Sequence, residues 1–270
     1  MSSRTNRGQS LKLILGISIV SILWPTLFAP ICFAEDETSI FASTSDGIIQ
    51  VAIANIPPES FKLEGTIEPI ADPLEPVNRA FFQFNDRLYF WVLKPVATGY
   101  KAVVPEDGRV GVRNFFSNLT TPIRLVNCLL QLNFKCAGTE TLRFGLNTVV
   151  GLAGFLDPAK KELHLEKREE DFGQTLGYWG IGPGIYLDWP ILGPSSLRDT
   201  VGYVGDLFLD PINYLVTSTP INLAIKSYDQ VNETSLRIGE YEDFKEAALD
   251  PYIALKDAYY QYRKNEIRER

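Results

Sequence analysis

The only histidine of this 270-residue chain, His164, is the first residue to consider for catalysis, because an imidazole titrates near neutral pH. Nucleophilic catalysis needs a nucleophile beside a base and a third group that orients the base. His164 instead stands in a run of charged residues, and the chain contains no nucleophile-elbow motif. A histidine-dependent hydrolase is therefore not expected.

Pairs of acidic residues offer a second route, general acid-base catalysis. Two pairs are candidates, Asp171 with Asp188 and Asp199 with Asp206. Turns and helix N-termini account for most acids of this kind. We therefore predict that the protein is not an enzyme.

Cofactor and metal sites also need recognisable spacings. The glycines of Gly180-Ile-Gly182-Pro-Gly184 lack the strand, helix and lysine of a phosphate loop. No cluster of cysteines and histidines has the spacing of metal ligands. We expect neither a cofactor nor a metal, and we interpret these glycines as points where the chain bends.

The same glycines lie in the stretch around which the chain is organised, residues 172–197. Its 26 residues carry one charge, Asp188, together with six glycines and three prolines. The prolines remove backbone donors, so the stretch cannot be a regular helix. Irregular backbone at membrane depth must be buried in protein or line a cavity, and in a soluble protein it would be a buried loop. Both interpretations predict an internal segment.

The first 34 residues have the pattern of an export signal, with early arginines followed by a mostly apolar run. Three outcomes stay open: cleavage after Ala34, lipidation of Cys32, or a retained anchor. Lipidation needs a small residue before the cysteine, and Ile31 is not small. Residues 35–71 are acidic and are predicted to be a mostly disordered spacer, and residues 72–270 are predicted to be the folded domain.

Two cysteines remain after the signal, Cys128 and Cys136, in a compartment that permits disulfides. On one continuous helix they would lie about 12 Å apart, too far to bridge. A disulfide therefore requires the chain to turn between them, which suggests a helical hairpin with a disulfide across its neck. Two separate buried thiols are the alternative.

The formal net charge is −7, so the chain has no excess of basic residues. The folded domain itself is mildly acidic, which does not fit a nucleic-acid-binding protein.

Periodicity predicts helices through most of the domain. Asp72 is a candidate N-cap or turn residue ahead of an aromatic helix that Lys94-Pro95 should kink or end. Residues 109–119 predict an amphipathic helix, in which Arg109 and Arg113 form either a solvated face or contacts with lipid phosphates.

The helical hairpin is expected to have its arms over residues 122–132 and 139–156. Gly151 and Gly154 in the second arm allow either close helix packing or a smooth wall beside a passage.

Further along, residues 157–171 are predicted to be a charged loop, and Ser195 or Ser196 to cap a helix that runs to residue 207. The chain after Pro220 is predicted to be an amphipathic surface helix pair, interrupted at Asp250-Pro251. We find no internal repeat and no alternating pattern typical of strands.

Short motifs in a fixed order resemble those of the MlaA (VacJ) family of outer-membrane phospholipid-handling proteins, across about 180 of the 270 residues. No single motif is decisive, but together they are specific: Asp72-Pro-Leu-Glu-Pro-Val-Asn-Arg79, Phe84-Asn85, Lys94-Pro95, Arg113-Asn-Phe115, Arg143-Phe-Gly-Leu-Asn-Thr148, Gly151-Leu-Ala-Gly-Phe-Leu-Asp157, Asp171-Phe-Gly-Gln-Thr-Leu-Gly177, Gly182-Pro-Gly-Ile-Tyr186, Pro190, Gly193, Arg198-Asp199 and Asp250-Pro-Tyr252.

The resemblance implies an all-α fold, a ring of amphipathic helices around a central amphipathic passage, embedded in the inner leaflet of the outer membrane. Misplaced outer-leaflet phospholipids would leave through the passage toward a periplasmic lipid carrier of the MlaC type, with a trimeric porin as a partner in some members. The apolar runs agree with this arrangement, because they are too short or too broken to cross a bilayer. The family is typically lipidated, so the poor site at Cys32 is a departure.

On this basis we assign a passage wall and an adjoining hinge. The wall is expected to comprise Phe144, Leu146, Asn147, Val150, Gly151, Leu152, Gly154, Phe155, Leu176, Tyr178 and Trp179. The hinge is expected to comprise Gly177, Gly180, Gly182, Pro183 and Gly184.

Two other classes of function remain open. A non-catalytic envelope scaffold would use the apolar stretches only for packing and would carry no lipid. A lipid-modifying enzyme would need an acid such as Asp171 or Asp188 in a pocket.

Overall fold

Helices make up most of residues 70–268, the part of the chain that the computed structural model describes, so the all-α expectation is confirmed. The predicted signal peptide, Cys32 and nearly all of the predicted spacer lie outside the described residues. The N-terminal half consists of α1 Glu75–Leu88, a π-helical turn Tyr89–Leu93, α2 Lys94–Val103, α3 Glu106–Leu119, α4 Thr121–Leu130, α5 Phe134–Val149 and α6 Pro158–Leu163.

The C-terminal half contains further helices and one short hairpin of strands. Its elements are α7 Phe172–Tyr178, β1 Tyr186–Trp189, β2 Gly193–Ser196, α8 Leu197–Leu207, α9 Pro211–Leu215, α10 Thr219–Leu236, α11 Glu240–Ala247 and α12 Pro251–Arg268. Side-chain oxygens of residues ahead of several helices accept bonds from the first turn, as expected for N-caps: Asp157, Asp171, Ser196 and Asp210. None of the described helices is long and apolar enough to cross a membrane.

The helical hairpin expected around the two cysteines is present. Helix α4 ends at Leu130, α5 begins at Phe134, and a disulfide joins Cys128 to Cys136 with their Cα atoms 5.7 Å apart. The second arm is shorter than predicted, because Leu152, Ala153 and Gly154 have positive φ values of 54°, 59° and 98°. A right-handed helix cannot continue through such residues, so α5 ends at Val149.

The sequence interpretation missed the β-hairpin. Strands β1 and β2 are antiparallel, with Tyr186 opposite Ser196 and Trp189 opposite Gly193. Each strand has only four residues, and Pro190 and Pro194 lie in or beside them, so no alternating pattern could develop. The expectation that residues 172–197 form no regular helix is correct only after Tyr178, since α7 occupies the start of the stretch.

Three further expectations need correction. The chain stays helical through Lys94-Pro95, because a π turn leads directly into α2, and the alternative of a kink there stays a prediction. Arg109 is neither solvated nor free for lipid, since it is 4% exposed and donates to the carbonyl of Ser235 at 2.6 Å. The charged loop of residues 157–171 contains the short helix α6.

The C-terminal helix is part of the core and not half of a surface pair. Tyr252, Leu255 and Tyr259 are 1–2% exposed, and both tyrosines pack with Tyr186 of β1 and with Ile70. From the sequence, the face of α12 that carries Tyr252, Leu255 and Tyr259 appeared to lie at the surface, because the residues that it packs against come from distant parts of the chain. Asp72 is not an N-cap. Its side chain links the start of the domain to α12, because it accepts hydrogen bonds from Asn78 at 2.8 Å and from Tyr252 at 2.5 Å.

Helices α7 and α8 cross at a pair of glycines, Gly173 and Gly202. A Cβ atom on Gly202 would overlap the backbone of Gly173, so this crossing requires the absence of a side chain. The crossing fixes the start of the bent stretch against α8.

We therefore expect Gly202→Ala to lower the free energy of unfolding by about 1–3 kcal/mol, the usual cost of forcing extra atoms into a packed contact. Gly182→Ala is the matched control, because a Cβ atom there meets nothing within 4 Å. Denaturant unfolding in mild detergent measures both. Equal effects of the two substitutions would contradict the close crossing.

Candidate functional site

A polar cleft lies where helices α3, α4 and α5 meet. It is partly open to solvent, and its interior volume of about 10 Å³ has room for about one water molecule. Its lining residues are all polar or charged: Asn114, Ser117, Asn118, Thr121, Arg124, Arg143, Asn147 and Asp157. Such a cleft suits water or a polar group and does not suit a hydrocarbon chain.

The charges around the cleft are paired. Arg124 donates to Glu140 at 2.8 Å, and neither side chain is more than 6% exposed. Arg143 donates to Asp157 at 2.8 Å, and Asn147 donates to the other carboxylate oxygen at 2.9 Å. The charge of Arg143 lowers the pKa of the Asp157 carboxyl although burial acts in the opposite direction. The cleft is therefore polar without a large excess of either charge.

A strap of extended chain, residues 164–171, runs beside the cleft. The side chain of Lys167 is buried, donates to Ser117 Oγ at 3.1 Å and forms an ion pair with Glu169. Burial lowers the pKa of Lys167, and its neighbouring carboxylates act in the opposite direction. Arg143 also donates to the carbonyl of Leu165.

The turn after α5 forms the other border of the cleft. Gly154 lies against Asn118 of α3 so closely that a Cβ atom would overlap it. Gly151 is equally restricted, since a Cβ atom would lie 2.5 Å from the carbonyl oxygens of Asn147 and Leu156. Both glycines thus serve packing, one of the two interpretations left open by the sequence.

The bent stretch is held at its start by a buried ion network. Asp171 caps α7 and accepts two bonds from Arg263 of α12. Arg263 also donates to Asp199, which in addition binds Arg198 at 2.9 Å. Burial raises the pKa of Asp199, but the arginine charges outweigh it and hold the pKa below its usual range. The acids of the two predicted pairs, Asp171/Asp188 and Asp199/Asp206, therefore make contacts that hold the fold together.

The β-hairpin is held to α1 by two asparagines. Asn78 donates to the carbonyl of Tyr186 at 3.1 Å and accepts from Asp188 N at 3.0 Å. Asn85 donates to the carbonyl of Trp189 at 2.9 Å and accepts from Ile191 N at 2.7 Å. The two asparagines therefore fix both ends of β1.

The predicted hinge residues lie in different surroundings. Gly177 lies inside α7, and a Cβ atom there would meet Ile267 of α12 at 2.5 Å. Gly180 and Gly182 have open space around them, and Gly180 and Gly184 have φ values of 87° and 73°. Pro183 is half-buried, and movement of the segment as a hinge stays a prediction.

The predicted wall residues fall in two places. Asn147, Gly151, Gly154 and Phe155 border the polar cleft or pack on α3, where Phe155 stacks near Phe115. Trp179 lies at the tip of the α4–α5 hairpin and donates to the carbonyl of Leu130 at 3.1 Å, with its ring partner Tyr178 beside it. Leu146 and Leu176 are half-buried, whereas the other wall residues are exposed: Phe144, Val150 and Leu152.

Sequence reasoning missed the buried polar residues of the cleft, in particular Arg124, Glu140 and Asn118. A signal was available, because Arg124 is the only charge of α4, and Glu140 shares one face of α5 with Arg143. Such charges are expensive to bury and therefore point to a paired partner. In the described part of the chain, no group of three or more His, Cys, Asp or Glu residues could hold a metal ion.

Asp188 of the hairpin is expected to make stability depend on pH. Burial raises its pKa to about 7, and one of its oxygens has no hydrogen-bond partner. Because the folded pKa is above the unfolded value, the protein should lose stability as pH rises from about 4 to about 7. Asp188→Asn should remove the part of this loss that Asp188 causes, and Asp206, whose pKa burial also raises to about 7, should still contribute its own part. Denaturant unfolding of both proteins at pH 5 and pH 8 tests it, and identical pH dependence would contradict a buried, protonated Asp188.

Asn85→Ala should release the hairpin from α1. Loss of its buried hydrogen bonds should lower the free energy of unfolding by about 2–4 kcal/mol and speed amide exchange in residues 186–196. Gln83→Ala, on the exposed side of the same helix, is the control and should change neither quantity. Unchanged exchange in the hairpin of Asn85→Ala would show that these bonds do not hold it.

Comparison with known proteins identifies relatives over the same region. The family model described as "MlaA lipoprotein" matches residues 70–266. The chain is 34% identical over 194 residues to the "Intermembrane phospholipid transport system lipoprotein MlaA" of Escherichia coli K12, covering 71% of this chain and 76% of that protein. It is 32% identical over 199 residues to an uncharacterised protein of Rickettsia felis, covering 73% and 78%.

A solved structure is also similar. The structure, from work described as "Structural basis for maintenance of bacterial outer membrane lipid asymmetry", superposes with a TM-score of 0.65 at 34% identity and covers 73% of this chain and 99% of its own. The match therefore extends over nearly all of that structure.

Proposed function

Because the chain belongs to the MlaA lipoprotein family, we propose that it transfers phospholipid at the outer membrane of a Gram-negative cell, as one component of an intermembrane transport system. Two findings support this proposal: relatives named as phospholipid-transport lipoproteins share about a third of their residues with it, and the similar solved structure concerns outer membrane lipid asymmetry.

The observation that carries the proposal is the distribution of polar and apolar residues. Among residues 70–268, buried polar and charged side chains outnumber buried apolar ones. At the same time many large apolar side chains are exposed, among them Trp91 at 75%, Phe134 at 70%, Phe208 at 70% and Leu215 at 73%. Water-soluble proteins rarely expose such extensive apolar surface, whereas a protein in contact with lipid does.

In the proposed arrangement the helices lie in the inner leaflet of the outer membrane and enclose a passage. Helices of 10–18 residues can enter one leaflet with their apolar faces without crossing the bilayer. The polar cleft would have to open to take a phospholipid head group, while the exposed apolar residues Phe144, Val150 and Leu152 would border the acyl chains. Such a passage lowers the barrier to lipid transfer and needs no chemical step.

The direction of transfer would come from partners. We propose that the phospholipid passes to a soluble periplasmic carrier of the MlaC type, and that a trimeric porin holds the protein in some settings. The protein would not act as an enzyme, since most of its buried acids are held by arginines, asparagines and backbone amides. Acylation of Cys32 is proposed only as a weak additional anchor, and the exposed apolar surface would supply most of the attachment to the membrane.

The test is to extract the protein in mild detergent and to quantify the phospholipid that purifies with it, comparing wild type with Leu152→Asp. Leu152 has a positive φ, a conformation that aspartate adopts more readily than leucine, so this change should not strain the backbone. Near-stoichiometric phospholipid in wild type and a several-fold loss in the folded variant are expected.

Leu249→Asp is the matched control, because Leu249 is fully exposed on the loop before α12 and away from the wall. Leu249→Asp should purify with as much phospholipid as the wild-type protein. Absence of phospholipid in all three proteins would favour a non-catalytic scaffold, and the appearance of lysophospholipid would favour an enzyme. Either result would overturn the proposal.

A further inference from the structure

We infer that the strap, residues 164–171, is a lid over the polar cleft, held shut by Glu140, and that it sets how large a polar group can enter. The role of this lid in lipid transfer rests on the proposed function, whereas its existence is testable without any lipid.

Glu140 joins three elements through one carboxylate. Its side chain is fully buried, one oxygen accepts from Arg124 of α4 at 2.8 Å, and the other accepts from the backbone N–H of Arg168 at 3.1 Å. Glu140 itself lies on α5. A single residue thus fastens the strap to both helices of the disulfide-linked hairpin.

The strap is also fastened to other residues of the cleft. Lys167 donates to Ser117 of α3, and Arg143 donates to the carbonyl of Leu165. Ser117, Arg124 and Arg143 all line the cleft. The bonds that hold the strap therefore come from the same side chains that an incoming polar group would meet.

The attachment of the strap is suited to opening. Its ends are fixed, because Leu165 N donates to the carbonyl of Ala159 at 3.0 Å and Asp171 is bound by Arg263. Its middle has neither helix nor strand, and its connections to the cleft are polar. Each such bond contributes little net free energy, because water or another polar group can replace it.

A phospholipid head group offers the chemistry to replace these bonds. Phosphate oxygens accept charge-assisted hydrogen bonds from arginine and lysine. A phosphate in the cleft could take the donors of Arg124 and Lys167, which would remove the bond between the strap and Ser117 of α3 and would take from Glu140 its partner on α4. The lid thus links opening of the cleft to the arrival of a head group.

The experiment measures access to the cleft with a reporter cysteine, Asn114→Cys, in a Cys32→Ser background with the Cys128–Cys136 disulfide intact. The labelling rate is compared for a small methanethiosulfonate and a bulky maleimide. Arg168→Pro removes the backbone N–H that Glu140 accepts, and Arg168→Ala keeps it. The bulky reagent should label Arg168→Pro about tenfold faster than Arg168→Ala, the effect on lid opening of losing one buried hydrogen bond.

Lys167→Met is a second variant, since it removes the bond to Ser117 with little change in the shape of the side chain. It should also speed labelling of Asn114→Cys by the bulky maleimide. Thr234→Cys, a fully buried position on α10, reports unfolding and should stay unlabelled in every variant. No acceleration at Asn114→Cys, or an equal acceleration at Thr234→Cys, would overturn the lid. Absence of co-purified phospholipid from the wild-type protein, together with the expected acceleration of labelling in the strap variants, would instead contradict the proposed function alone.

Discussion

The structure depends on the pairing of buried charges. Arg124 with Glu140 and Arg143 with Asp157 join consecutive elements, whereas Arg263 with Asp171 and Asp199 joins α12 to elements that are distant in the sequence. Removing one member of such a pair leaves an uncompensated charge, which costs far more than the pair contributes. The polar interior therefore specifies which helices meet, a role that apolar packing has in most small domains.

The polar interior explains why large apolar side chains lie on the surface. Since much of the buried volume is polar, many of the large apolar side chains that the sequence supplies remain on the surface, as with Trp91 and Phe134. In water such a surface would favour aggregation, but against acyl chains it is stable. The same separation places a polar cleft beside apolar surface, the combination of environments that the proposed transfer of phospholipid requires.

The sequence predicted features with local causes. The N-cap at Ser196, one of two candidate serines, and the turn between the cysteines depend on a few neighbouring residues, so the prediction of each was correct. Features with distant causes were missed: the burial of Arg109 depends on Ser235, and the hairpin depends on Asn78 and Asn85. Resemblance to a family supplied the fold, but it could not locate the cleft, because Arg124 and Glu140 are recognisable as partners only after α4 and α5 fold together.

The most direct test of the account is whether the apolar surface contacts lipid. Single-tryptophan variants that retain Trp91 or Trp179, which are 75% and 60% exposed, would be reconstituted in vesicles whose acyl chains carry bromine, a short-range quencher. The account predicts strong quenching at both positions. Fluorescence as high as in unbrominated vesicles would place these residues in water and contradict a helical domain that lies in one leaflet.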